Sequence, residues 1–191
     1  DEEHQLSLQV IRENMLKNHG YYKVTEDGVE QCLISCDDGV YRFTPPESEE
    51  QDWTVEKLVD EAASDAVLVD LDQDGEKELI LISPFHGEHI YFYKKIDGDY
   101  KKVYTYDTAD FAHAIYGGTL LGKPAVIIGH RKGERNLLLF TWEQEKGQYQ
   151  VEILDRDCGP ANVFKYERGT EEVLISTNRE IDEVAMYTFE K

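Results

Sequence analysis

Two groups of residues in this chain have the types and spacing to do chemistry. The first is the run Asp70-Leu71-Asp72-Gln73-Asp74-Gly75-Glu76-Lys77-Glu78-Leu79. Carboxylates at alternate positions converge when the chain curls, and Gly75 permits the turn. A backbone carbonyl near the seventh position adds another oxygen. Asp70, Asp72, Asp74, Glu76 and Glu78 are the candidate ligands. An all-oxygen set fits Ca2+ rather than zinc. The alternative is an acidic turn that holds no ion.

The second group contains most of the histidines. His19, Asp65, His113 and Asn162 lead into one set of apolar runs. Asp37, Asp38, Phe85, His86, His89, His130, Arg131, Asn178, Arg179 and Glu180 follow another set, and only His4 among the six histidines falls outside. Histidine serves as general acid or base near neutral pH, or as a transition-metal ligand. We read His19, His113, His130 and Arg131 as candidate catalytic residues. His86, Asn162, Asn178 and Arg179 are read as candidate ligand-binding residues, with the arginines clamping an oxyanion. A second divalent ion held by His19, His113 and His130 is a further expectation, though no spacing rule supports it. The plain alternative is that these are polar loop ends, with Arg179 making surface ion pairs worth little.

These positions converge only if the elements carrying them repeat. They do. Gly28, Gly75, Gly122 and Gly169 are spaced 47, 47 and 47 residues apart, and each precedes an apolar run centred on Ile34, Ile82, Ile128 or Ile175. Each unit reads as four short strands rich in Val, Ile, Tyr and Phe, with Asp-Gly turn signals at Asp27, Asp38, Asp74 and Asp97. Trp53–Ala63 passes locally for a helix, but its place in the repeat predicts a strand. Four-stranded units of this length predict an all-β fold, a β-propeller of about four blades. The blades span approximately 18–60, 65–107, 112–155 and 160–191, the last completed by an N-terminal strand over 6–11. The alternative is part of a larger propeller. Antiparallel pairing puts the starts of the inner strands and the ends of the second strands at one end of the molecule.

Composition narrows the partners. The 191 residues include 40 Asp+Glu against 20 Lys+Arg, a formal charge of −20. No basic stripe is present for nucleic acid or an anionic membrane surface, so neither is expected as a partner. Hydrophobic content of 40% is too high for a disordered acidic chain. Cys32, Cys36 and Cys158 give no disulfide framework, which favours a reducing, cytoplasmic setting. No nucleophile elbow, phosphate loop, His-Glu-x-x-His or Cys-x-x-Cys motif occurs. Nothing in the residues sets an oligomeric state.

The acidic run, placed between the first two strands of a unit, resembles the calcium loop of FG-GAP/VCBS propeller repeats. The full motif occurs once; the equivalent turns before Gly28, Gly122 and Gly169 lack it. The resemblance implies that the ion rigidifies a blade. More diffusely, the stretches from Gly129 and from Thr177 are similar in style to propellers of the aldos-2-ulose dehydratase type. That similarity implies carbohydrate lyase, dehydratase or isomerase chemistry. The expected partner is a small polar, carbohydrate-like or anionic ligand at the channel mouth. The alternative is a non-catalytic module that binds a glycan or a protein.

Overall fold

The computed structural model describes residues 7–48 and 50–190. Among the described residues the chain is all-β apart from a single 3-10 turn at Arg179–Ile181. Four antiparallel sheets follow in order: β1–β4 (Tyr21–Glu26, Val29–Cys36, Gly39–Thr44, Thr54–Val59), then β5–β8 (Asp65–Val69, Glu78–Ile82, Ile90–Ile96, Asp99–Tyr106). The third is β9–β12 (Ala112–Leu120, Lys123–His130, Leu137–Glu143, Gln148–Asp155) and the fourth β13–β15 (Pro160–Arg168, Glu171–Asn178, Glu183–Glu190). The sheets are the blades of a β-propeller, one per repeat. The ambiguous segment after Trp53 is strand β4. The repeat glycines Gly28, Gly75, Gly122 and Gly169 have φ of 79°, 97°, 72° and 63°, a left-handed turn geometry that glycine adopts at least cost.

The core lies between blades. On β6, Leu79 and Leu81 face the first blade while Ile80 and Ile82 face the third. On β10, Ala125 and Ile127 face the fourth blade and Val126 and Ile128 face the second. A central strand buried on both faces reads as a continuous apolar run rather than an alternation. That explains why these four runs stand out in the sequence.

Inner strands β1, β5, β9 and β13 pack in sequence, but no comparable packing joins β13 back to β1. Phe164, Val184 and Met186 on the last blade and Tyr21 on the first are 64%, 72%, 54% and 65% exposed. The expected closure by an N-terminal strand is not built. Leu6 lies outside the described residues, and Ser7–Ile11 form no strand. Among the described residues the fourth sheet has three strands. Instead the segment reaches the first blade, where Met15 packs against Cys36, Tyr41 and Phe43. The Arg12 guanidinium lies 4.5 Å from the centre of the Tyr41 ring. No short turn links residues 7–11 to β15, so the available apolar and aromatic contacts on blade one decide where the segment goes.

Candidate functional site at one end of the inner strands

Three blades each deliver one imidazole to a common point. His19 precedes β1, and its amide donates to the Ser35 carbonyl at 3.0 Å. His113 is the second residue of β9, and His86 lies on the Ser83–His89 loop after β6. His19 and His86 have ring centroids 4.9 Å apart, His19 and His113 5.8 Å, and the stacked pair His86 and His113 4.6 Å. Phe85 and Phe111 flank them, at 5.6 Å from His19 and 4.8 Å from His86.

Two of the rings are pinned across blade boundaries. His19 Nδ1 is 3.1 Å from the Ser64 carbonyl, and His113 Nδ1 is 2.7 Å from the Ala161 carbonyl. A carbonyl only accepts, so each Nδ1 carries the proton, and in the neutral ring Nε2 keeps its lone pair. His86 has a buried Nδ1 without a partner. Burial, then the neighbouring His113 and His19, hold the pKa of His86 below the usual imidazole range. Asp65 follows Ser64 directly, and burial pushes its carboxyl up to about 7. A groove of about 430 Å³ beside His19 is lined by Asn18, Tyr21, Ile34 and Phe43. A larger groove of about 750 Å³ runs between the first two blades near Gly75, lined by charged side chains such as Arg42, which pairs with Glu26 at 2.9 Å.

Other predicted residues have different surroundings. His130 is 1% exposed, its Nδ1 bonded to the Lys132 carbonyl at 2.9 Å and its Nε2 accepting from the Asn136 amide at 3.1 Å. Both ring nitrogens are consumed by the loop, so His130 is no member of the imidazole cluster. Arg131 donates to Glu180 at 2.8 Å and lies over Phe111. It ties the third blade to the fourth. Asn178 is buried, donating to Glu183 at 2.9 Å and accepting from Ser176 at 2.6 Å. Asn162 and Arg179 are exposed, with Arg179 3.6 Å from Glu180. His89 faces Asp107 at 3.1 Å, away from the cluster. The trio therefore contains His86 where the sequence suggested His130. Both follow a second strand, but His130 ends β10 facing inward while His86 comes four residues after β6 on an accessible loop.

The acidic run behaves differently residue by residue. Ligand oxygens of Asp70, Asp72 and Glu78 lie within 4.8 Å of one another. Asp70 Oδ2 accepts from the Gly75 amide at 3.1 Å, whereas its Oδ1 is buried without a partner. Glu78 is fully buried, and burial pushes its carboxyl up to about 7. Asp74 Oδ1 accepts from the Glu76 amide at 2.9 Å, and Glu76 is exposed, outside the converging set. Lys94 bonds to Asp72 and, at 2.6 Å, to Asp74. The orphaned Asp70 oxygen beside two converging carboxylates fits a hard cation, with the Lys94 ammonium as the competing positive charge.

Fold and site together define a β-propeller with a polar inner-strand end. No protein-family model and no curated protein matches the chain. Among solved structures it is similar to a protein from Bacteroides fragilis described as a candidate 6-phosphogluconolactonase, with a TM-score of 0.58 and 17% identity over 91% of this chain. The match covers 50% of that protein, so this chain spans about half its length. At that identity the likeness establishes the propeller fold alone.

Proposed function

We propose that this propeller binds a small polar ligand, carbohydrate-like or anionic, at the end where His19, His86 and His113 meet. The observation that carries this reading is the convergence of three imidazoles from three different blades. They supply hydrogen-bonding nitrogens, with aromatic faces at Phe85 and Phe111 for a sugar ring. The name of the structural neighbour adds sugar lactones and phosphorylated sugar acids to the compounds worth trying. Binding rather than acid–base catalysis is the reading preferred, because Arg131 and His130 are already engaged by the protein. One observation favours chemistry: Asp65, with its pKa raised to about 7, is poised to exchange a proton near neutral pH. Ca2+ in the Asp70–Glu78 loop is proposed as a structural ion, held by Asp70, Asp72 and Glu78.

The test is a calorimetric and thermal-shift survey of sugars, sugar acids and their lactones. A compound that binds the native chain and loses at least tenfold affinity in His113→Ala supports the reading. Ligands whose affinity is indifferent to His113→Ala and Phe85→Ala, or no ligand at all, overturn it. Proton NMR of the same mixtures, compared with Asp65→Asn, reports isomerisation or dehydration.

A further inference from the structure

We infer that His19, His86 and His113 form a divalent transition-metal site, with Zn2+ as its natural class of ion and one coordination position open. The inference concerns the same mouth as the ligand reading but does not rest on it, since it needs no sugar.

The carbonyls of Ser64 and Ala161 fix the protonated nitrogen of His19 and His113 as Nδ1. Each Nε2 therefore presents a lone pair. His86 brings a third imidazole into the same space, and its Nδ1 is buried without any protein partner. One nitrogen from each ring lies within 4.8 Å of the others. His19 and His113 spend their single ring proton on those carbonyls, and the one proton of a neutral His86 still leaves it a lone pair, so each ring has one nitrogen free to bind a shared cation. Tetrahedral zinc with nitrogens at about 2.0–2.1 Å keeps its ligands about 3.3 Å apart. The cluster needs to contract by about 1.5 Å at most, within reach of side-chain rotation by the exposed His19 and the loop residue His86. The donors hold neither sulfur nor carboxylate oxygen, which favours a borderline ion over calcium or magnesium. Backbone carbonyls bonded to the far nitrogen of ligating histidines are the usual outer support of such sites. Here they come from the adjacent blades, so blade packing orients the ligands. Three protein ligands leave a fourth position for water or an oxygen of a bound molecule. The chain's charge of −20 raises the local concentration of any cation.

The experiment uses the untagged full chain, stripped with a chelator and held in millimolar Ca2+ so that the acidic loop does not compete. Equilibrium dialysis against Zn2+ alone, with elemental analysis, should find one Zn2+ per chain. Co2+ should give the strong visible bands of a four-coordinate ion. His86→Ala removes no side-chain hydrogen bond at Nδ1 but does remove the ring contacts with Phe111 and His113, so the melting temperature of the metal-free chain should fall only modestly and the chain should stay folded. The substitution should weaken Zn2+ binding by about 100-fold, as should His113→Ala, whereas His89→Ala should change it less than twofold. The inference is overturned if the native chain takes up no stoichiometric Zn2+, or if His86→Ala weakens binding no more than His89→Ala does.

Discussion

Asp65 shows how one residue's surroundings set a measurable property. Its carboxyl is raised to about 7 by burial, whereas in the unfolded chain it ionises near the ordinary 3.8. Between those values the folded state holds a proton that the unfolded state has lost. Stability is therefore fully present below about pH 4 and declines as pH rises through 7. Asp65→Asn should flatten that part of the stability–pH curve in urea titrations at pH 5 and pH 8. A substitution that leaves the slope intact would place its origin elsewhere. In the acidic loop, millimolar Ca2+ should raise the melting temperature and EDTA should reverse the rise. Asp70→Asn, which alters the oxygen left without a partner, should abolish the calcium response. Equal responses in native and Asp70→Asn chains would count against calcium in this loop.

At the scale of the element, the repeat makes the strands legible. Leu79–Ile82 is apolar at every position because β6 is covered on both faces. The last blade differs between its two faces. Leu174 on β14 is fully buried against the third blade, while Phe164 on β13 points outward at 64% exposure. Leu174→Ala should cost about 2–5 kcal/mol, and Phe164→Ser should stay within about 0.5 kcal/mol, both by chemical denaturation. A large loss at Phe164 would mean that the outward face is covered in solution. The same contrast limits sequence reading: Phe164 and Leu174 look alike as strand apolars, and only the neighbour on each side separates them. The 47-residue spacing also resolved the segment after Trp53 as a strand, which local propensity did not.

At the scale of the molecule, the blades approach closely at chosen points. Gly117 on β9 faces β5, and a Cβ there would come 2.7 Å from Val69 Cγ2 and 2.8 Å from Val67 Cβ. Gly117→Ala must push the second and third blades apart, and should cost about 1–3 kcal/mol by thermal unfolding. An unchanged melting temperature would show that the interface can yield. Tyr22 of the first blade donates its hydroxyl to the Gly117 carbonyl of the third, so the inner strands meet across the axis. The imidazole cluster depends on this closeness. Among the described residues no comparable packing joins β13 of the last blade to β1 of the first, and no described helix is long and apolar enough to cross a membrane.

The sequence alone determined the strands, their grouping into four blades and the position of the acidic loop. Each is written in local spacing: apolar runs, turn glycines and alternate carboxylates. It also placed His19, His86 and His113 at one end, since antiparallel pairing fixes the end a strand terminus occupies. Tertiary structure decided which imidazoles meet, because that depends on the angle between blades and on the Ser83–His89 loop. It closed His130 onto its own loop, gave Arg131 to Glu180 and buried Asn178. It also sent the N-terminal segment to the first blade, since residues without a short connecting turn go where packing surface is available.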